Sequence, residues 1–157
     1  MKSFVAVDIE TANAKEWSIC QLGLAIVENG TIKETVTELV QPPGNEYALW
    51  NTMIHGLKKE DTLHKPEFPE VWEKLKHKID GLKLVVHNAR FNIACLRETM
   101  KFYNMETVSF DYVCIFEMAQ QKLRLACNSR GITFSKQHNA QHDAVACANI
   151  FLKLNTR

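Results

Sequence analysis

The sequence predicts an α/β fold, a mixed five-stranded sheet with helices packed on both faces. Two observations carry this. An apolar run near the N-terminus precedes two strand-like segments joined by Glu28-Asn29-Gly30, which is hairpin turn chemistry. Further along, helix-period segments alternate with short apolar runs, an order that adds parallel strands to an antiparallel start.

Each element follows from its own pattern. Phe4-Val5-Ala6-Val7 is apolar on both faces and reads as a buried strand. Cys20 to Val27 is the second strand. Thr31 to Val40 is the third, alternating Ile32, Thr35/Val36 and Leu39 with polar neighbours. Gln41-Pro42-Pro43-Gly44-Asn45 ends regular structure. From Glu46 to Pro69 the chain is loop-rich, with helical turns at Tyr47 to Met53 and Lys58 to Leu63. Pro69 fits the first turn of a helix carrying Val71, Trp72, Leu75 and Ile79, ended by Gly81. Leu84-Val85-Val86 is a short fourth strand, and Ala89 to Tyr103 a helix with Ile93, Leu96, Met100 and Tyr103 on one face. Val108 to Val113 reads as the fifth strand, followed by helical stretches up to Arg130-Gly131. The last helix runs from Ala140 to Leu154, with Ala144, Val145, Ala148, Phe151 and Leu152 inward. Without repeats or linkers, one domain over 1–157 is expected.

Composition narrows the class. Hydrophobic residues are 46% and charged residues 24%, as in soluble globular proteins. A net charge of +1 means that any nucleic-acid site is local rather than a bulk electrostatic property. The five cysteines (Cys20, Cys95, Cys114, Cys127, Cys147) form no CxxC pair and sit in apolar contexts, as buried thiols of a reducing cytoplasm do. The apolar run in "MKSFVAVDIE" is too short for a signal peptide, and no stretch approaches the ~18 apolar residues of a membrane span.

Polar groups concentrate in three places. Asp8 and Glu10, two apart on one strand, point to the same face, where residues 4 and 6 are apolar. Two such carboxylates repel unless one is protonated or a cation joins them. In His138-Asn139-Ala140-Gln141-His142-Asp143, Asn139 is placed to cap the last helix and Asp143 falls at the end of its first turn. An acid there is also favoured by the helix dipole alone, by roughly 0.3–1 kcal/mol. In Val86-His87-Asn88-Ala89-Arg90-Phe91-Asn92, Asn88 caps the helix after the fourth strand and Asn92 lies one turn later. Strand ends and the helix starts after them line the crevice of an open α/β sheet. Lys58, Lys59, Lys65, Arg90, Arg124, Arg130 and Lys136 are available to track phosphates.

"DIET" at Asp8 to Thr11, "HNARFN" at His87 to Asn92 and "HNAQHDA" at His138 to Ala144 resemble the three ordered motifs of the DEDDh 3′→5′ exonucleases, the superfamily of the polymerase III proofreading subunit. "SICQLGLAIVENG" and "NTMIHGL" extend the likeness over nearly the whole chain. The resemblance implies a ribonuclease H-like fold and metal-dependent removal of nucleoside 5′-monophosphates from nucleic-acid 3′ ends, DNA favoured over RNA. It implies two divalent cations, Mg²⁺ or Mn²⁺, held by Asp8, Glu10 and Asp143 with Asn92 at a degenerate fourth position, and His138 as general base. Thr11, His55, His87, Asn88 and Phe91 fall at substrate-binding positions. Neither a membrane nor a polymerase partner is indicated, and the expected location is cytoplasmic.

Asn92 departs from the family pattern, whose motif II ends in Asp. Three carboxylates then face the cations instead of four, and reduced hydrolysis with retained substrate binding is expected. The alternatives are an impaired nucleic-acid-binding domain of the same fold and an RNA-directed exoribonuclease.

Overall fold

The strand β1 (Phe4–Thr11) is buried along its full length and is the middle strand of the sheet. Its even residues face one hydrophobic layer and its odd residues the other, so neither side meets water. It pairs antiparallel with β2 (Ile19–Glu28), which turns through Asn29-Gly30 into β3 (Thr31–Leu39). Both turn residues have positive φ, the conformation that Asn and Gly tolerate. On its other side β1 pairs parallel with β4 (Lys83–Val86), and β4 with β5 (Tyr112–Cys114). The order is β3-β2-β1-β4-β5, the mixed five-stranded sheet that the sequence implies. The computed structural model describes residues 3–134 and 136–155.

The intervening segment holds two short helices, α1 (Leu49–His55) and α2 (Lys59–Thr62), before α3 (Phe68–Ile79). Phe68, Val71, Trp72, Leu75 and Ile79 of α3 join Ile93, Leu96 and Met100 of α4 (Ala89–Phe102) over the odd face of β1. The opposite face is covered by α5 (Ile115–Ala119), α6 (Leu123–Asn128) and α7 (Ala140–Asn155). Among the described residues no helix is long and apolar enough to cross a membrane. All five cysteines are buried and unpaired.

Two expectations need correction. The fifth strand is Tyr112–Cys114 rather than Val108 to Val113, because β4 begins only at Lys83 and Leu84 already pairs with Tyr112. The Leu84 N–H still reaches the Asp111 carbonyl at 2.8 Å, and among the described residues no pairing with β4 precedes it. Asn88 occupies the N-cap position of α4, but its side chain makes no capping bond. It is exposed instead.

Candidate active site

All ten site residues that the sequence suggests line one cleft of ≈ 530 Å³: Asp8, Glu10, Thr11, His55, His87, Asn88, Phe91, Asn92, His138 and Asp143. The cleft opens where β1 and β4 end and α4 and α7 begin. Asp8 and Glu10 leave β1 on the face that carries Phe4 and Ala6, and α7 packs over that face. Asp143, in the first turn of α7, is thereby delivered to them.

That delivery depends on β2. Gly23 lies across the sheet from Asp8 and Gln21 across from Glu10, on the same face. A β-carbon on Gly23 would stand 2.2 Å from the Ala140 carbonyl carbon, so only glycine lets the start of α7 lie on the sheet. Gln21 Oε1 accepts the Ala140 N–H at 3.0 Å and fixes the helix there. Asn139 Oδ1 accepts the His142 N–H at 3.2 Å, the cap expected of it. The His138 N–H donates to Asp143 Oδ2 at 3.0 Å, and His138 adopts φ of 62°, folding the loop back over the acid.

One ligand atom each from Glu10, His138 and Asp143 lie within 4.8 Å of one another. Burial pushes the Glu10 carboxyl up to about 8, with repulsion from Asp143 adding to it. Burial likewise raises Asp143 to about 6, against the His138 amide and the Arg124 charge, which lower it. Asp8 is raised well above the ordinary carboxylate range, by burial first, then by Glu10 and Asp143. A hydrogen bond with Asn92 draws it partly back. The His138 imidazole is held below its usual value by burial and by Arg124, so it is neutral near pH 7.

Two buried oxygens in this cluster have no partner, Asn92 Oδ1 and Asp143 Oδ1. A buried acceptor left unpaired costs roughly 1–3 kcal/mol. Three repelling carboxyls, one of them with an orphan oxygen, and the orphan amide oxygen of Asn92 are donors that suit a hard divalent cation, so the residues present fit an oxygen-bound metal.

The rest of the cleft is shaped by hydrogen bonds. The Leu57 N–H donates to His55 Nδ1 at 3.0 Å, so the neutral ring donates from Nε2 to the Thr11 carbonyl, also at 3.0 Å. Asn51 Nδ2 donates to the Thr11 carbonyl at 3.0 Å and to its hydroxyl at 3.3 Å. Opposite, His87 Nε2 donates to the Gln121 carbonyl at 3.2 Å. Sequence reasoning missed Trp50, Asn51, Ile54, Lys15 and Gln137, which also line the cleft. The "NTMIHGL" stretch signalled Asn51 and Ile54, and "SICQLGLAIVENG" carries Gln21 and Gly23, though nothing local says what those two contact. Of the seven basic residues offered as phosphate contacts, none lines the cleft among the described residues, and Lys15 does.

Residues 5–151 match the family model RNase_T, described as exonuclease. The chain belongs to the RNase_T exonuclease family. Within it, this RNase_T chain is of the epsilon-like DEDDh kind. It is 25% identical over 173 residues to the DNA polymerase III subunit epsilon of Pasteurella multocida, covering 96% of this chain and 67% of that one. It is 31% identical over 114 residues to the Haemophilus influenzae subunit epsilon, covering 64% of this chain but 44% of that one. The chain spans 11% of a matching PolC-type DNA polymerase III of Clostridium perfringens, at 27% identity over 94% of this chain. In fold it is similar to Escherichia coli exonuclease I in complex with a dA16 oligonucleotide, at a TM-score of 0.84 and 14% identity, covering 100% of this chain and 41% of that one. The nuclease domain of 3′hExo, a DEDDh family member bound to rAMP, superposes at a TM-score of 0.82 with 15% identity, over 98% of this chain and 91% of that one.

Proposed function

We propose that this chain is a divalent-metal-dependent 3′→5′ exonuclease that releases nucleoside 5′-monophosphates from single-stranded 3′ ends, DNA ahead of RNA, at a rate lowered by Asn92. The observation that carries the reading is the convergence of three buried carboxyls and the unpartnered amide oxygen of Asn92 at one open cleft. Asp8, Glu10 and Asp143 are the residues to hold Mg²⁺ or Mn²⁺, with the Asn92 amide oxygen as the fourth, uncharged donor. When bound, such ions supply charge stabilisation to the phosphate and acidify water near neutral pH.

The protein's own part is positioning and proton transfer. His138, neutral near pH 7, takes a proton from the attacking water as its oxygen bonds to phosphorus. The bond from phosphorus to the 3′-oxygen of the preceding nucleotide breaks, and that oxygen picks up a proton from solvent. A 5′-monophosphate and a strand shortened by one nucleotide result. Thr11, held by Asn51 and His55, forms the floor for the terminal sugar, and exposed Phe91 and Trp50 offer rings to bases. The DNA preference is supported by the epsilon relatives.

The test is product analysis on 5′-labelled and 3′-labelled single strands with Mn²⁺, DNA against RNA, for this chain and its Asn92→Asp variant. Mononucleotides released stepwise from the 3′ end are expected, abolished by chelation. Asn92→Asp is expected to gain on the order of 10- to 100-fold in kcat. Internal cuts, or release from the 5′ end, would falsify the reaction class. Firm strand binding by both forms, with no hydrolysis by either, favours the binding-domain alternative that the missing carboxylate at Asn92 suggests.

A further inference from the structure

A second groove, of ≈ 430 Å³, adjoins the cleft and shares His87 and Asn88 with it. Its other walls come from Arg90, Phe116, Glu117 and Lys122. The shared residues make the two cavities one continuous surface. Phe116 is fixed to that ridge: its N–H donates to the His87 carbonyl at 2.9 Å, and its ring meets the His87 ring edge-on at 5.9 Å. Even so, 43% of Phe116 is exposed, leaving ring surface open to a flat partner.

The surface cations divide into paired and unpaired ones. Lys74, Lys76, Lys78, Lys83 and Lys101 are each ion-paired to an acid. Arg90 and Lys122 are exposed, and among the described residues neither side chain is in an ion pair or hydrogen bond, although Glu117 lines the same groove. The groove therefore offers two uncommitted cations, one carboxylate and an exposed ring along a continuation of the cleft.

The sheet order gives this continuation a direction. His55 reaches Thr11 of β1 and stands 4.0 Å from Cys20 of β2, so the terminal-sugar end of the cleft lies on the β2 side. His87 follows β4, on the other side of β1, and the groove runs on towards Cys114 of β5 and α5. A strand with its 3′ end at Thr11 that crosses the sheet in this direction passes His87 and Asn88. We infer that this groove binds the single strand upstream of the scissile phosphate, Arg90 and Lys122 contacting backbone phosphates and Phe116 stacking on a base, a reading that rests on the exonuclease assignment.

The experiment is equilibrium anisotropy with fluorescein-labelled single-stranded DNA, a trinucleotide against a dodecamer, alongside hydrolysis of both with Mn²⁺. The trinucleotide fills the cleft alone; the dodecamer reaches the groove. The Arg90→Ala/Lys122→Ala double variant is expected to weaken the dodecamer by roughly tenfold and to flatten its log K against log salt slope by about 1.4, the value for two single-strand phosphates. Its trinucleotide affinity and hydrolysis stay unchanged. Phe116→Leu weakens the dodecamer by roughly fivefold or more. Glu117→Gln tightens it, a gain that impaired folding cannot mimic. The inference is overturned if the unaltered chain binds the dodecamer no better than the trinucleotide. It is also overturned if the double variant loses both equally, or if Glu117→Gln brings no gain. In those cases normal trinucleotide hydrolysis leaves the exonuclease reading standing. A chain that neither binds nor cuts the trinucleotide removes both.

Discussion

The two helix starts that flank the cleft both open with His-Asn-Ala and end, three residues on, in an amide and its matching acid. His87-Asn88-Ala89-Arg90-Phe91-Asn92 opens α4, and His138-Asn139-Ala140-Gln141-His142-Asp143 opens α7. In both, the fourth helical residue lines the cleft, donates its N–H to the carbonyl of the preceding Asn at 2.9 Å and keeps a buried Oδ1 without a partner. Their histidines have opposite fates. His87 spends its Nε2 proton on the Gln121 carbonyl, a structural tie, while His138 is tied by its backbone N–H to Asp143. The Asn side chains differ too: Asn139 caps its helix and Asn88 does not. Related sequence thus ties one histidine through its ring and the other through its backbone.

The comparison can be broken hardest at the histidines. His138→Ala is expected to lower kcat by about 10²–10⁴ with strand affinity retained, the usual weight of a general base. His87→Ala should act mainly on thermal stability and upstream binding. Equal kcat losses from the two variants would erase the distinction.

Next in size is the support under α7. Gly23→Ala drives a methyl into the Ala140 carbonyl, and a loss of about 3 kcal/mol or more in urea unfolding is expected, since backbone rather than a flexible side chain must move. The start of α4 is held instead by its Ala89 N–H on Cys114 Sγ at 3.5 Å, and Ala substitutions on the solvent face of that helix should be mild.

A pH effect follows from the carboxyls around Asp143. Glu10 and Asp143 are raised to about 8 and about 6, and Asp8 is raised as well. An acid with a raised folded-state value binds protons more tightly folded than unfolded, so its stabilisation is present at low pH and is lost as pH rises through the folded value. In chelator, Tm should fall between about pH 4.5 and 8, on the order of 5 °C, and Mn²⁺ should remove the slope. Asn92→Asp should steepen the metal-free fall, because it replaces an amide bonded to Asp8 by a fourth carboxyl. A flat metal-free profile contradicts the repulsion argument.

The smallest contrast separates the caps. Asn139→Ala should cost about 1 kcal/mol, and Asn88→Ala only a few tenths, measured by denaturant titration. Equal losses would mean that the two Asn residues serve their helices alike.

What the sequence discloses here is what local pattern controls. The hydrophobic periods place β1, β4, α3, α4 and α7 within a few residues, and the three polar clusters fall together in the cleft. The family likeness adds the expectation of a metal at Asp8, Glu10 and Asp143. What stayed hidden depends on residues distant in the chain. Gln21 and Ala140 are 119 positions apart, and no window over either reveals their hydrogen bond. The Gln121 carbonyl that claims His87 is 34 positions away. The length of β5 was equally invisible, because β4 sets it rather than the composition of Val108 to Val113. Asn88 matched a capping pattern, yet only the fold shows that its side chain turns to the cleft rim instead.

The five thiols noted with the fold have a practical consequence. Cys20, Cys95, Cys114, Cys127 and Cys147 are all buried, and burial pushes Cys20 and Cys95 up to about 12. The folded chain is therefore nearly silent to alkylating reagents, which attack thiolates. A single cysteine introduced on the groove rim, away from Arg90 and Lys122, would carry a fluorophore alone and report strand arrival in real time. The native five would register only if the molecule came apart, a built-in alarm for unfolding in the same tube.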